Sequence, residues 1–410
     1  MGDIDKLKNF VQNACDAVEF KLSRDDVDNE ETFPPDMAHQ IFGESENIFG
    51  YKNLKVTIMY SAGDMYNYIM MKYSKKIENI ADDGIKADNV TEKIISKLPE
   101  DCCCSSVDDL LKKVDKAEAF QPFGEKLAEH NVENEHGNKR HFEIYGCNGK
   151  NPTFINYFCR LETMVLWFVD AASYIDIDDP KWMYFIWYVS KIYEKFQNAD
   201  GNIQYASVGY STVYQFYAFP EHIRPRISQM LVLPPFQKLG IGTKMVETIY
   251  RYFSTEDVVD ITVEDPSEGF RRIRNYLDAK LCMTLPSFDK NVIKKGFRKN
   301  MVNEARQKFK INPKQCRIVY EILRLFHTNI SNSKEYEEFR LDVKRRLNLA
   351  YHKQLREIKS LQKAKIDTQL LLATLPSMEE RIQQLREEYD KVEGEYNIPN
   401  KLLLRPKFRN

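Results

Sequence analysis

The feature that most constrains this chain is the stretch of residues 226–253, where an apolar run meets a turn with two glycines and then an amphipathic segment. This order predicts a strand, a tight turn and a helix. Gly240 and Gly242 let the backbone of the turn approach a ligand without an intervening side chain. The first N–H groups of the helix have no intrahelical partner, and the helix dipole favours negative charge there. The stretch therefore predicts a pyrophosphate site.

The two glycines belong to the pattern Gln-x-x-Gly-x-Gly, which runs from Gln237 to Gly242. It resembles the acetyl-CoA signature of the GNAT acetyltransferases. The chain has neither the Gly-Lys-Ser/Thr of a P-loop here nor the Gly-x-Gly-x-x-Gly of a dinucleotide-binding fold. An ordinary turn, in which the glycines serve only the backbone, is the alternative interpretation of the pattern by itself.

A β-branched run that begins at Val258 ends in Glu264, Asp265 and Pro266. We expect a strand that stops at the proline. Glu264 then lies at the carboxyl end of the strand after the crossover helix, where α/β sheets gather their ligands. A lysine amine, with a pKa of about 10.4, is almost wholly protonated at neutral pH, so a base must take its proton. A solvated acidic pair that closes a strand is the alternative.

The chain resembles the catalytic subunit of type B histone acetyltransferase from about residue 10 to residue 350. The resemblance is carried by segments that follow one another in the family's order: His39-Gln40-Ile41-Phe42-Gly43, Phe49-Gly50-Tyr51-Lys52, Trp182, Val208-Gly209-Tyr210, Arg224-Pro225-Arg226, Ser228-Gln229-Met230-Leu231, Asp260-Ile261-Thr262, Glu264-Asp265-Pro266-Ser267 and Val319-Tyr320-Glu321-Ile322-Leu323-Arg324-Leu325. Two positions depart from the family's pattern. Lys238-Leu239 replace a loop richer in glycine, and Asp170 stands where relatives carry Glu, so no catalytic role is assigned to Asp170.

The resemblance implies an α+β protein with the GNAT acetyltransferase fold, a mixed, mostly antiparallel sheet with flanking helices. We predict four domains: an N-terminal α/β domain at residues 1–125 that forms part of the histone-tail groove, the GNAT core at 126–266, a helical domain at 267–330 and a charged helical extension at 331–410. At this length the chain can hold several cores.

The resemblance also implies acetyl-CoA as co-substrate. Its pantetheine arm is expected to pair as an added strand with one backbone segment, and its pyrophosphate to bind the turn, through the residues Met230, Leu231, Val232, Gln237, Lys238, Leu239, Gly240, Ile241 and Gly242. The predicted catalytic residues are Glu264 as general base and Asp265 as its assistant.

A lysine-donating tail is cationic and flexible, so its groove needs carboxylates and aromatic side chains. Candidate carboxylates flank Ser45 and precede Trp182 as Asp176, Asp178 and Asp179. By resemblance, the residues that contact the histone tail are Ser45, Glu46, Asn47, Trp182, Tyr214, Gln215 and Phe216. Alternatively, the aromatic residues belong to the core and the acidic run is a solvated turn.

The implied substrate is the tail of the free, newly synthesised H-four core histone, and the implied partner is a WD-repeat histone chaperone. We expect a soluble protein of nucleus and cytoplasm, since no segment matches a signal or a membrane span. A net charge of −1 opposes strong nucleic-acid binding. The eight cysteines have no paired metal-ligand spacing and no His-x-x-x-His pair occurs, so we predict no metal.

Three alternatives to this function stay open. The first is a GNAT enzyme that acts on protein amino termini or small amines. The second is a non-enzymatic histone-binding adaptor with an inactive fold. The third is acetyl transfer through a covalent intermediate on Cys282.

Periodicity gives several element predictions. They are a helix at residues 4–21, a half-exposed strand at 54–60, a hairpin of strands at 182–188 and 203–217 with its turn at 198–201, helices at 270–281, 290–308 and 313–327, and a helix-forming region at 335–396.

Overall fold

The computed structural model describes residues 7–23, 31–77, 86–100, 102–116, 120–133, 139–191 and 204–404. The chain divides into two compact units. The first consists of Met1–Tyr217 and Pro225–Arg251, and the second of Ala218–Arg224 and Tyr252–Asn410. The predicted division into four domains is finer than this and stays a prediction.

The strands are β1 (Val11–Asn13), β2 (Val18–Ser23), β3 (Glu31–Phe33), β4 (Asn47–Phe49), β5 (Tyr51–Lys52), β6 (Lys55–Ser61), β7 (Asn67–Lys72), β8 (Lys75–Lys76), β9 (Glu125–Glu133), β10 (Lys139–Asn148), β11 (Trp182–Lys191), β12 (Gln204–Ala218), β13 (His222–Val232) and β14 (Thr262–Val263). The helices are α1 (Ala14–Ala17), α2 (His39–Phe42), α3 (Val90–Ile95), α4 (Val107–Lys116), α5 (Pro152–Glu162), α6 (Val165–Phe168), α7 (Ile241–Tyr252), α8 (Glu268–Cys282), α9 (Lys290–Ile293), α10 (Lys299–Phe309), α11 (Pro313–His327), α12 (Ser333–Leu347), α13 (Leu349–Lys363), α14 (Gln369–Ala373) and α15 (Met378–Leu403). The predicted α+β fold class is confirmed.

A four-stranded sheet in the first unit has the order β3-β2-β6-β7, and its β2–β6 pair is parallel. Phe20 of β2 is fully buried and packs edge-on against the ring of Trp167, with 5.2 Å between ring centroids. The strand predicted at 54–60 is present as β6, but the prediction that it is half-exposed is wrong. Every residue of β6 after Lys55 is buried.

The predicted helix at residues 4–21 is also wrong over its described part. The chain forms β1, the single turn α1 and then β2. In β2, Val18 and Phe20 are buried and alternate with the partly exposed Glu19 and Lys21, which is the period of a strand. Parallel pairing with β6, distant in sequence, decides between two patterns that local periodicity leaves open.

A second sheet of the first unit includes strands in the order β13-β12-β11-β10-β9. Strands β11 and β12 pair antiparallel, with Trp182 opposite Tyr214, so the predicted hairpin is confirmed. Its predicted turn at 198–201 lies outside the described residues. Gly209 faces β13, where an added Cβ would lie 2.2 Å from the carbonyl oxygen of Leu231. Only glycine allows this close approach of the two strands.

The second unit is helical around a buried face of α11. Tyr320, Ile322 and Leu323 of this helix are fully buried. Buried Glu321 accepts hydrogen bonds from Arg317, Arg346 and Tyr396, which joins α11 to α12 and α15. The helix-forming region predicted at 335–396 is helical but consists of several helices in succession. Among the described helices, none has the length and apolar character needed to cross a membrane.

Candidate active site

The predicted strand, turn and helix are present as β13, a 3-10 turn at Pro234–Phe236 and α7. Lys238 and Gly240 both have left-handed backbone conformations, with φ of 62° and 80°, and together they turn the chain into the helix. The Gly240 carbonyl accepts the N–H of Lys244 at 3.1 Å, so the helical hydrogen bonds begin there. The N–H groups that follow Gly240 have no intrahelical partner, which is the arrangement an anion needs.

His130 on β9 supports this turn from a distant part of the chain. Its Nε2 lies 3.1 Å from the carbonyl oxygen of Leu239 and donates a hydrogen bond to it in the tautomer that carries the proton there. A Cβ on Gly240 would lie 3.6 Å from the same nitrogen. The guanidinium of Arg251, near the end of α7, donates to the carbonyl of Leu127 on the same strand. Sequence reasoning missed His130, and no local pattern marks it.

The predicted pantetheine segment, Met230 to Val232, lies at the end of β13. Met230 and Val232 are half-buried and Leu231 is buried. The carbonyl of Val232 accepts a hydrogen bond of 3.0 Å from the side-chain amide of Gln237. Gln237 therefore closes the turn back onto its own strand, which is a structural role beside its predicted cofactor contact.

Aromatic side chains gather at the paired ends of β11 and β12, where the tail groove is predicted. The ring centroids of Trp182 and Tyr214 are 4.9 Å apart, and those of Tyr214 and Phe216 are 4.5 Å apart. The Tyr214 hydroxyl donates to Asp179 at 2.7 Å, and this contact raises the pKa of Tyr214. The indole N–H of Trp182 has no hydrogen-bond partner among the described residues. Gln215, also predicted here, donates its amide to the carbonyl of Lys181.

Of the predicted first-domain contacts, Ser45 and Asn47 are exposed, whereas Glu46 already has partners. Its carboxylate accepts the backbone N–H groups of Ala38 at 2.6 Å and His39 at 3.0 Å, at the start of α2. The bond from Ala38 is the main cause that lowers the pKa of Glu46. Glu46 therefore caps a helix, which sequence reasoning did not predict.

An imidazole joins this cap to the stretch that follows α6. His39 Nε2 lies 3.3 Å from Asp170 Oδ1, and its Nδ1 lies 3.7 Å from Glu46 Oε1. The side-chain amide of Gln40 donates to the carbonyl of Ala172 at 2.5 Å. These contacts bring Glu46 and the exposed Asp170 to one histidine, a grouping that the sequence did not indicate.

Glu264 and Asp265 follow β14 directly and are exposed. The predicted strand is short, because Val258 and Ile261 form only single bridges, to Ile223 and Ile311. Asp265 has a left-handed backbone with φ of 29°. Both carboxylates belong to the second unit, while the turn belongs to the first.

The alternative of an acetyl intermediate on Cys282 does not fit the structure. Cys282 is fully buried, and burial raises the pKa of its thiol far above neutrality, with Asp278 adding to the effect. A buried thiol that stays protonated is not a nucleophile.

Within the described ranges, one group of side chains has atoms close enough to hold a metal ion: Glu129, His141 and Glu143. The ammonium group of Lys126 lies 2.5 Å from Glu143 and 3.1 Å from Glu129. It already supplies the positive charge that a metal would bring.

Two family profiles match the chain. One is described as the N-terminus of histone acetyl transferase HAT1 and matches residues 10–170, and the other as the C-terminal part of the histone acetyltransferase type B catalytic subunit and matches residues 274–325.

The chain is similar to the histone acetyltransferase type B catalytic subunits of Homo sapiens and Mus musculus. Each is 39% identical over 401 residues, which covers 94% of this chain and 94% of the relative. A Dictyostelium discoideum relative of the same description is 32% identical and covers 97% of this chain. An aminoglycoside acetyltransferase from a soil metagenome overlaps 31% of this chain at 18% identity with a TM-score of 0.22, too little to bear on the fold.

The site and these relatives together define an acetyltransferase enzyme. More narrowly, the chain belongs to the family of type B histone acetyltransferase catalytic subunits. The predicted family and enzyme class are confirmed.

Proposed function

We propose that the protein transfers an acetyl group from acetyl-CoA directly to the ε-amine of a lysine in the tail of the free, newly synthesised H-four core histone. The observation that carries this proposal is the turn between β13 and α7, with its left-handed residues and its open helix start. Family membership supports a histone as the acceptor.

The turn is suited to the phosphates of acetyl-CoA. The backbone from Ile241 onward offers N–H groups at a helix start, and Gly240 presents no side chain. Met230 to Val232, at the end of β13, would pair with the pantetheine arm as an added strand. The contacts of His130 with Leu239 and of Gln237 with Val232 support this assignment, because they hold the turn in place before any ligand binds.

Direct transfer needs one base and no enzyme nucleophile. The deprotonated amine attacks the thioester carbonyl carbon, the C–N bond forms and the C–S bond breaks. The sulfur leaves as the CoA thiolate and takes up the second proton, which the nitrogen loses as the amide forms. Glu264 takes the proton of the amine, directly or through water, with Asp265 as its assistant. Their exposure and their place after β14 favour this role, and the burial of Cys282 favours the direct route.

The tail would lie against the aromatic cluster of Trp182, Tyr214 and Phe216. Lysine and arginine stems pack on such rings while their cationic ends reach carboxylates, here Asp179 and its neighbours. Exposed Glu44 adds negative charge in the first domain.

A WD-repeat histone chaperone as partner, and a distribution between nucleus and cytoplasm, complete the proposal by resemblance to the family. The mixed charges of the helices after Leu347 are compatible with a role in protein contacts rather than in nucleic-acid binding.

Steady-state kinetics with three acceptors test the proposed substrate. They are an H-four tail peptide, a peptide with a free amino terminus and no lysine, and spermidine. We expect kcat/KM to be highest for the tail peptide. A preference for either other acceptor would point to amino termini or small amines, and no turnover with any of them, or with whole histones, would support the adaptor instead.

A further inference from the structure

Glu162, the last residue of α5, is a buried carboxylic acid without a cationic partner. Only 2% of its surface is exposed. One of its oxygens accepts the N–H of Ile175 at 2.9 Å, and the side chain of Gln229 also donates to it. No ion pair among the described residues joins it to a lysine, arginine or histidine. Its neighbour Arg160 instead donates to the carbonyl of Asp64.

Within the described part of the chain, the titratable groups that interact electrostatically with Glu162 are neutral ones: Tyr174, Tyr184, Tyr210 and Cys159. The hydroxyl of Tyr184 is buried and has no hydrogen-bond partner among the described residues. Burial raises the pKa of Glu162 to about 7, although the bonds from Ile175 and Gln229 act in the opposite direction. The desolvation of the charged form therefore outweighs both hydrogen bonds.

Gln229 connects this acid to β13, the strand proposed to bind acetyl-CoA. Its side-chain nitrogen donates to the carbonyl of Ser173 at 2.7 Å, and its side-chain oxygen accepts from Tyr210 at 3.0 Å. The backbone carbonyl of Gln229 accepts a hydrogen bond from the hydroxyl of Ser211, and its backbone N–H donates one to the hydroxyl of Thr212, both on the neighbouring strand. Gln229 is thus held firmly, one residue before the segment proposed to bind the pantetheine arm.

The contacts of Glu162 and Gln229 help to fix the start of what we call the acidic loop, residues 173–181, where the Tyr174 hydroxyl also donates to the carbonyl of Lys97 at 2.6 Å. Ser173 and Ile175 are held at this end, while Asp179 is held near the other end by Tyr214. Ser173 and Tyr174 are exposed at the surface, so this segment lies between solvent and the buried acid that Ile175 contacts. An ionised Glu162 favours a movement of this segment, because a buried unpaired charge is costly.

We propose that Glu162 is a positioning residue for tail binding: its protonated carboxyl group fixes the acidic loop, and its ionisation loosens the loop and weakens the binding of the cationic tail. The inference rests on the proposed function, since it takes the acidic loop to be part of the tail groove. Ionisation of Glu162 therefore makes tail binding weaker as the pH rises above neutrality.

The test compares the wild type with Glu162→Gln at about pH 6 and about pH 8.5, in the full-length protein. Glutamine keeps the shape, can accept the N–H of Ile175 and cannot ionise.

Hydrogen exchange of residues 173–181, corrected for the intrinsic effect of pH, reports how firmly the loop is held. KM for the H-four tail peptide reports binding. From the lower to the higher pH, the wild type should show faster loop exchange and a rise in KM of roughly fivefold, the factor that one net hydrogen bond represents.

In Glu162→Gln both changes should be absent. Glu143→Gln is the matched control, because Glu143 is also buried but is paired with Lys126. It should keep the pH dependence of the wild type. Hydrogen exchange of the acidic loop can also be measured in the wild type over a series of pH values, which needs no variant. The exchange rate should change around the pKa of Glu162.

Equal loop exchange in the wild type and Glu162→Gln at both pH values, or a KM rise that persists in Glu162→Gln, would overturn the inference. Failure of the proposed function gives a different result. In that case the wild type turns over no tail peptide even at the lower pH, while the difference in loop exchange still decides whether Glu162 holds the loop.

Discussion

The phenolic hydroxyl of Tyr214 donates a hydrogen bond of 2.7 Å to the carboxylate of Asp179. Tyr214 stands on β12 in the aromatic cluster and Asp179 in the acidic loop, so this contact joins the two chemical features that a cationic tail requires. Tyr214→Phe keeps the ring and removes the bond. We expect KM for a tail peptide to rise about threefold with little change in kcat, since the contact positions a binding surface.

Asp178→Asn is the matched control for that variant, because it removes a charge from the same loop and leaves the bond from Tyr214 in place. It should weaken tail binding mainly at low salt, whereas Tyr214→Phe should act at all salt concentrations. Indistinguishable salt dependence in the two variants would argue against a separate positioning role of the hydroxyl.

Glu44 and Glu46 should differ in what they contribute, although they are nearly adjacent in sequence. Glu46 caps α2 through the N–H groups of Ala38 and His39, so Glu46→Ala should lower the free energy of unfolding by about 1 kcal/mol. Glu44 is exposed, and Glu44→Ala should leave stability unchanged while it raises KM at low salt. Urea unfolding of both variants measures this difference, and equal stability would show that the cap contributes little.

Acetyl-CoA should raise the thermal unfolding temperature of the wild type, because it binds only the folded state. Gly240→Trp should weaken this effect strongly, since the side chain obstructs the turn and φ at this position is 80°. Gly394→Trp is the control, at a glycine with open space around it. An unchanged affinity for acetyl-CoA in a folded Gly240→Trp protein would contradict the assignment of the turn.

Glu162 should also make stability depend on pH. Its pKa in the folded protein, about 7, is above its usual value of 4.5. Its contribution to stability is therefore fully present below about pH 4.5 and is lost as the pH rises through about 7. The stability of Glu162→Gln relative to the wild type should increase over this range by on the order of 3 kcal/mol. Denaturant titrations at pH 5 and pH 8 measure it, and a constant difference would contradict a neutral buried acid.

Glu264→Gln removes the proposed proton acceptor and keeps the shape. We expect kcat to fall roughly 10²- to 10⁴-fold with acetyl-CoA binding nearly intact. Residual activity should rise with pH, as more of the amine is then deprotonated without help. Glu256→Gln, at another exposed carboxylate of the second unit, should have no effect. Since Asp265 could substitute, a folded Glu264→Gln/Asp265→Asn double variant that retains wild-type kcat would show that the proton leaves by another route.

The parts of the fold that local patterns determine could be predicted from the sequence. The strand, turn and helix around Gly240 and the hairpin that pairs Trp182 with Tyr214 each have a local signal, in turn glycines or in alternating apolar residues. The wrong helix at the N-terminus shows the limit. Residues 11–23 fit two periods, and pairing with β6 decides between them.

The supporting contacts of the candidate site could not be predicted, because they join residues far apart in sequence. His130 reaches the turn across 109 positions, and Gln229 reaches Ser173 across 56. Nothing next to Glu162 in the sequence distinguishes it from a solvated helix residue. Only the packing of the acidic loop and β13 around it makes it a buried acid.

The most direct test of the central claim is mass spectrometry of whole core histones incubated with the purified protein and acetyl-CoA. It identifies the reaction, the histone and the modified atom together, and Glu264→Gln/Asp265→Asn serves as the control. We expect acetyl groups on lysine side chains of the free H-four tail, added by the wild type and nearly absent with the double variant. Acetylation only at amino termini, or no acetylation of any core histone by a folded protein that binds acetyl-CoA, would contradict it.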